Sequence, residues 1–273
     1  MTDLHDIVLQ FDLKGQIESI RPLGNGLIND TYKVNTLDGP SYVLQRINHN
    51  IFRDVELLQN NIVSDTGHIR RKLEAEGVAD IDRKVLTFIP LKNSQVTWYF
   101  DGSSYWRVSL FIENAFTYET VNPEYSYYAG RSFGNFEAML ADIPDTLGET
   151  IPDFHNMELR ARQLEEAVAS DAVGRMAEDE VREILKEILV HREEMCKAER
   201  MYREGTLPKR ICHCDTKVNN MMFDASGDVL CVIDLDTVMP SFVFSDFGDF
   251  LRTAANKVAE DDPRIDMVEF DME

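Results

Sequence analysis

Ile211-Cys-His-Cys-Asp-Thr-Lys-Val-Asn-Asn220, followed by Val232-Ile-Asp-Leu-Asp236, is the stretch on which the reading of this 273-residue chain turns. Its polar residues fall at fixed offsets: Asp215, Lys217 two residues on, Asn220 five residues on, and Asp234 at the end of an apolar run. Phosphoryl transfer asks a protein for position and charge neutralisation: a carboxylate beside the acceptor hydroxyl, cations on the phosphates, and hard oxygen ligands for Mg²⁺. The spacing offers one residue for each task. Asp215 is the base that aligns the hydroxyl and takes its proton late, Lys217 reaches the moving phosphate, and Asn220 with Asp234 holds the metal. Each side chain alone is an ordinary loop residue, and only the set carries the prediction. Asp236 shares a face with Asp234 if the strand continues, and reads equally as a further metal or substrate ligand and as a hairpin-end carboxylate. His213 reads as support for the backbone rather than as the base. Cys212-His213-Cys214 does not read as a zinc site, because adjacent strand residues point to opposite faces and no second cysteine pair completes it.

Working outward, the apolar runs 219–223 and 229–233 flank Asp224-Ala-Ser-Gly227 and predict a hairpin with the metal residues at its two ends. Upstream, the pattern turns helical over 123–141, 157–169 and 178–204, where Val181, Ile184, Leu185, Ile188 and Leu189 recur at spacings of three and four. The first third alternates instead. Short strands are expected at 17–23, 31–34 and 42–47, separated by Gly24-Asn-Gly26 and Asp38-Gly-Pro40, with more at 85–89, 95–100 and 105–112. Between them, 51–76 has helical spacing with an expected interruption at Asp65-Thr-Gly67. The pattern predicts an α+β chain of two lobes: residues 1–112, a small antiparallel sheet with a glycine-rich turn, and 113–273, mainly helical, with the hinge at about 111–116.

Composition narrows the function classes. With 44% hydrophobic residues the chain can bury a substantial core. Twenty-eight Lys and Arg against 49 Asp and Glu leave a formal charge of -21, which argues against nucleic acid and anionic membranes as partners. No segment approaches the roughly 18 unbroken apolar residues of a membrane span, and Met1-Thr-Asp-Leu-His-Asp6 has no signal-peptide pattern, so a cytoplasmic protein is expected. The four cysteines do not form a disulfide framework. Gly24-Asn-Gly-Leu-Ile-Asn-Asp-Thr31 sits between two strands, where glycines let a backbone approach phosphates, although such a turn is also common in plain hairpins.

Taken together, Gly24 to Tyr32, Tyr42-Val-Leu-Gln-Arg-Ile-Asn48, His213 to Asn220 and Val232 to Pro240 resemble the aminoglycoside phosphotransferase and choline kinase superfamily, and within it most closely the N-acetylhexosamine 1-kinases. The resemblance runs from about Ile17 to Arg252. It implies a protein-kinase-like fold that binds ATP and Mg²⁺ and phosphorylates the anomeric O1 of a free N-acetylhexosamine, with Asp215 aligning O1 and Asn220 and Asp234 on the metal. It sets Gly24, Asn25, Gly26 and Thr31 over the phosphates, and Phe111, Ile112, Glu113 and Asn114 at the adenine. Ile151-Pro-Asp-Phe-His155 resembles a segment on the acceptor side, which makes Asp153 and His155 candidate sugar contacts, Asp153 being equally a helix cap. Asp246-Phe-Gly-Asp249 with Arg252 resembles a segment that buttresses the second lobe.

Two departures stand out. The superfamily usually carries a lysine on the third strand for the nucleotide phosphates, whereas this chain has Gln45 there, a candidate nucleotide contact together with Arg46, which points to the other face of a regular strand. The chain also ends at Glu273, where such kinases continue into further helices, so the second lobe is expected to be incomplete and its exposed apolar surface to favour a homodimer. Other readings of the same residues are a choline, homoserine or aminoglycoside kinase of this fold, and a nucleotide-binding protein with impaired catalysis.

Overall fold

A computed structural model of the chain describes residues 3–24, 28–118, 123–256, 258 and 262–270. After a short helix, α1 (Leu4–Val8), the alternating pattern forms β1 (Ile17–Pro22), β2 (Asp30–Thr36) and β3 (Tyr42–Ile47). These pair antiparallel with β5 (Tyr105–Leu110) and β4 (Trp98–Phe100) in the order β1-β2-β3-β5-β4. Period-two alternation gives the sheet two unlike faces. One buries Val34, Tyr42, Leu44, Trp106 and Val108 against Ile7 and Val8 of α1 and Phe11 beyond it. The other carries Thr31, Gln45 and Arg107, which face one another across three strands because β2–β3 pairs Thr31 with Gln45 and β3–β5 pairs Gln45 with Arg107.

Residues 85–89 do not form the expected strand. Strand β4 pairs only with the first half of β5 (105–107), and the segment beside the second half is held by two backbone bonds, Ile89 N to Val108 O and Leu110 N to Thr87 O, both 2.8 Å. The expected 95–100 strand is likewise shortened to the three residues of β4.

Helix α2 (Val55–Ala75) runs without the interruption expected at Asp65-Thr-Gly67. Its start is fixed by Asp54, whose side chain accepts from Leu57 N. A glycine inside a helix costs only about 1 kcal/mol, which the buried face (Leu58, Ile62, Ile69) outweighs. That face packs on α3 (Pro123–Leu140) through Phe133, Phe136 and Leu140, and on the hairpin β7 (Met221–Phe223) and β8 (Val229–Val232). One core therefore holds helix α2 and the hairpin in register. Asn61 of α2 adds a polar tie: its amide donates to Gly148 O (2.8 Å) and Val238 O (3.1 Å) and accepts from Gly148 N (3.3 Å).

The helical part continues with α4 (Met157–Ser170), α5 (Asp179–Met195), α6 (Lys197–Arg203), β6 (Arg210–Cys212), β9 (Met239–Ser241) paired with β6, and α7 (Val243–Ala254). The single helix expected over 178–204 is two, broken at Cys196, whose thiol donates to Met157 O of α4 (3.6 Å). Among the described residues no helix is long and apolar enough to cross a membrane.

Candidate active site

Strand β6 delivers the chain to Cys214, which takes a left-handed backbone (φ 63°), so that the next residue, Asp215, turns out of the strand direction. The loop is held from below. Asp246 of α7 accepts the amides of His213 (2.7 Å) and Cys214 (2.9 Å), and Asp249 accepts that of Thr216 (2.8 Å). Thr216 Oγ1 donates to Asp246 O (2.6 Å), and Thr237 Oγ1 donates to His213 O (2.8 Å). Glu137 of α3 lies against Asp246, and burial, with the hydrogen bond to that carboxyl, pushes Glu137 up to about 8, so the two acids hold a proton between them. His213 is fully buried: its Nε2 meets Ile233 O (2.9 Å) and its Nδ1 accepts from Asp215 N (3.3 Å). Those bonds occupy both ring nitrogens with main-chain groups.

Asp215 gathers the predicted set around it. Lys217 Nζ lies 3.2 Å from its Oδ1, and Asn220 Nδ2 donates to its Oδ2 (3.0 Å) and to its main-chain oxygen (2.8 Å). The Asn220 amide nitrogen is thereby committed, and Oδ1 is the atom left to ligate a cation. Asp234 is its neighbour across the hairpin ends, since Ile233 N donates to Asn220 O (2.9 Å). The strand does not continue: Asp234 takes φ 57° and a 3-10 turn, Leu235–Thr237, follows. Asp234 is exposed to solvent although protein crowds its carboxyl, and desolvation there, then the charge of Asp236 set against that of Arg107, and the charge of Asp215, push the carboxyl up to about 6. A dication would relieve that excess of negative charge, and carboxylate and amide oxygens are the donors Mg²⁺ takes.

Asp236 faces inward instead of sharing a face with Asp234. It is 2% exposed, ion-paired with Arg107 and hydrogen-bonded by Asn29 Nδ2 (2.7 Å), and Thr150 Oγ1 donates to its main-chain oxygen (2.8 Å). With both oxygens engaged by protein it is not grouped with the open ligands.

On the sheet side, Gly24 takes φ 68° and Thr31 faces the cleft, while Asn25 and Gly26 lie outside the described residues. Asn29 is held from two sides, its Oδ1 accepting from Asn48 N (2.9 Å) while its amide donates to Asp236 (2.7 Å). Gln45 Nε2 donates to Thr31 Oγ1 (3.3 Å) and its Oε1 accepts from Arg107 Nε (2.9 Å). Arg46 lies on the opposite face, paired with Asp30, and is not part of this cluster. At the exit of β5, Ile112 is buried against Leu230 and Cys231, Lys33 Nζ sits 3.6 Å above the Phe111 ring, and Glu113 pairs with Lys33 (3.4 Å). Arg83 takes the Glu113 carbonyl, Asn114 adopts φ 53°, and Phe116 bridges back to Phe223 through two 2.8 Å bonds, so the connecting segment is pinned to the hairpin.

On the far side of Asp215, His155 is half-buried and stacked on Phe154. Its Nδ1 is buried without a hydrogen bond to any described residue, and burial lowers its pKa, which disfavours the charged ring. Asp153 is exposed, and its carboxylate accepts from Asn156 Nδ2 (2.7 Å); Asn156, not Asp153, caps α4. A larger apolar groove between α4 and α5, lined by Leu164, Val168, Leu185 and Leu189, holds none of these groups.

Arg107 thus joins the site beyond the motif residues, while Asn29 of the glycine-rich motif and Asp246 and Asp249 of the 246–249 motif hold it in place. The one local signal for Arg107 is a charge inside the aromatic, alternating strand Tyr105-Trp-Arg-Val-Ser-Leu110, at a position on the cleft-facing side.

Comparison with known proteins bears on the fold. An aminoglycoside phosphotransferase from Alicyclobacillus acidocaldarius superposes with a TM-score of 0.55 at 13% identity, covering 90% of this chain and 68% of that one. An amicoumacin kinase solved in complex with AMP-PNP and Ca²⁺ gives 0.56 at 15% identity, over 92% and 67%. A spectinomycin phosphotransferase solved with ADP and spectinomycin gives 0.53 at 13% identity, over 89% and 70%. At these identities the likeness establishes the fold, a kinase-like arrangement of antiparallel sheet and helical part. The family model described as "Phosphotransferase enzyme family" matches residues 19–270, nearly the whole of the chain that carries the sheet, the Asp215 loop and the Asp234 hairpin, and the protein is a member of that family.

Proposed function

We propose that this phosphotransferase is an ATP- and Mg²⁺-dependent kinase of a small-molecule hydroxyl, acting on the anomeric O1 of an N-acetylhexosamine. The observation that carries the kinase reading is the convergence of Lys217 and Asn220 on Asp215 with Asp234 across the hairpin ends. Magnesium, held by Asn220 Oδ1 and Asp234, supplies charge neutralisation on the phosphates when bound. Asp215 accepts the hydrogen bond of the acceptor hydroxyl, orients its lone pair for in-line attack and takes its proton late. Asn220 fixes the Asp215 carboxylate so that one rotamer faces the acceptor, and Lys217 stabilises charge on the transferred group.

In this reading Phe111 to Asn114 receive the adenine. With the Glu113 carbonyl turned outward to Arg83, the main-chain groups of Ile112 and Asn114 are those on offer to a purine edge. Gly24, Asn25, Gly26 and Thr31 cover the phosphates. The N-acetylhexosamine assignment rests on the motif resemblance and on His155, whose buried Nδ1 has no partner among the described residues and whose pKa burial lowers, on the acceptor side of Asp215, with Asp153 beside it. The expected homodimer would bury exposed apolar surface of the helical part, and a monomer at high concentration in sedimentation removes it.

The test is an ADP-release screen over free N-acetylhexosamines, other sugars, amino alcohols and aminoglycosides. Turnover is expected with an N-acetylhexosamine. Asp215→Asn should lower kcat by at least about a hundredfold with little change in ATP affinity. Preference for choline or an aminoglycoside overturns the sugar assignment alone, and an Asp215→Asn variant with undiminished turnover overturns the role of Asp215.

A further inference from the structure

Gln45 is neutral, and a triphosphate brought between Asp215 and Asp234 would meet two carboxylates with Lys217 as the motif cation beside them, Arg46 lying on the opposite sheet face with Asp30. The register of the sheet points to where the missing charge resides. Gln45 on β3 is directly opposite Arg107 on β5, both lie on the sheet face turned away from α1, and Arg107, only 3% exposed, donates from Nε to Gln45 Oε1 at 2.9 Å. Neighbouring strands lie about 4.8 Å apart, a displacement that the reach of an arginine side chain spans.

We propose that Arg107 supplies, from β5, the cation for the nucleotide phosphates that the third strand lacks, with Gln45 and Asp236 acting as positioning residues that aim its guanidinium. The inference rests on the kinase reading above. A guanidinium has five N–H groups in a fixed fork, and Gln45 and Asp236 engage two of its nitrogens from two sides, which fixes the plane and leaves further donors for phosphate oxygens. The same network reaches the phosphate-side turn, because the Asp236 oxygen not facing Arg107 accepts from Asn29 Nδ2 at 2.7 Å. Gln45 in turn donates to Thr31 Oγ1 at 3.3 Å. The turn, the third strand, the fifth strand and the metal hairpin are thus joined through one buried cation.

A purely structural strut between Arg107 and Asp236 is the competing account, and binding measurements separate the two. Arg107→Gln alone strands the buried Asp236 carboxylate and risks misfolding, so the informative variant is the pair Arg107→Gln with Asp236→Asn, which removes both charges and retains an acceptor for Asn29. Isothermal calorimetry would compare Mg·ATP, Mg·ADP and adenosine on the parent, this pair, and the pair with Gln45→Lys added, each checked for folding by circular dichroism. The expected result is a loss of at least about tenfold in ATP and ADP affinity with adenosine changed less than about twofold, and recovery of most of the loss when Gln45→Lys returns a cation to the third strand. Equal weakening of ATP and adenosine, or ATP binding that does not change, overturns the role of Arg107 and leaves the kinase reading standing. A folded parent protein that binds neither ATP nor adenosine overturns both.

Discussion

Asp65→Asn should flatten the dependence of stability on pH. The Asp65 carboxyl lies inside α2, fully buried, with neither oxygen hydrogen-bonded to a described residue. Burial, helped by the like charge of Asp145, pushes its pKa from 3.8 up to about 8. Below about pH 4 the group is protonated whether the chain is folded or not, and the stability it permits is intact. Between the two values the unfolded chain ionises while the folded one does not. Unfolding then releases a proton, and each pH unit lowers stability by up to about 1.4 kcal/mol. From pH 5 to pH 8 the loss is about 4 kcal/mol, equivalent to roughly 8–16 °C in Tm for a chain of this size. Asparagine keeps the shape and cannot ionise, so the variant should lose most of that slope. Any fixed cost of its buried amide shifts stability equally at every pH and leaves the slope untouched. Glu137, also held up at about 8, contributes a slope of the same sign in both proteins, so some dependence persists. Urea unfolding at pH 5, 6, 7 and 8, followed by the fluorescence of Trp98 and Trp106, reads the effect directly. Parent and variant losing stability in parallel across that range would show that Asp65 is not a neutral acid at pH 7.

Removing the carboxylate in Asp234→Ala should abolish Mg²⁺-dependent nucleotide binding, while binding of adenosine alone persists; calorimetry with and without Mg²⁺ that shows no difference from the parent removes Asp234 from the metal site. Asn61→Ala leaves the carbonyls of Gly148 and Val238 without their shared donor and should cost about 2–4 kcal/mol, read as a lowered urea midpoint; a change below about 0.5 kcal/mol would mean that water replaces the amide. Asp246→Asn turns a double acceptor toward one that must present an N–H to an amide, and should lower kcat with smaller change in nucleotide affinity, because His213 and Cys214 lead directly into Asp215. Equal kcat in parent and variant would separate that buttress from the chemistry.

The parts of the site legible in the sequence were those set by local spacing. Asp215, Lys217 and Asn220 lie within one loop, and the hairpin brings Asp234 alongside because both of its strands read as strands. The meander followed from alternation for the same reason. What stayed hidden depends on contacts between residues far apart in the chain. Asn29 meets Asp236 across 207 residues, and Arg107 meets Gln45 across 62, and no periodicity reports a partner at such separations. The face that Asp236 presents depends on whether the strand continues, and β8 stops at Val232, two residues before the left-handed Asp234. The break expected in α2 failed because local propensity at Gly67 is weak beside the apolar surface that the helix buries.

Strand β5 carries Arg107 and then runs without interruption into Phe111, so a single stretch of backbone sets both the guanidinium and the connecting segment. A slip of one residue along β3 would turn Arg107 to the outer layer and displace Ile112 in the same event. Trp106 and Val108, buried beneath α1, are what forbid that slip. Packing on the face remote from the cleft therefore decides whether the cleft is aligned at all, and substitutions that loosen the outer layer should blur ligand recognition before they unfold the chain.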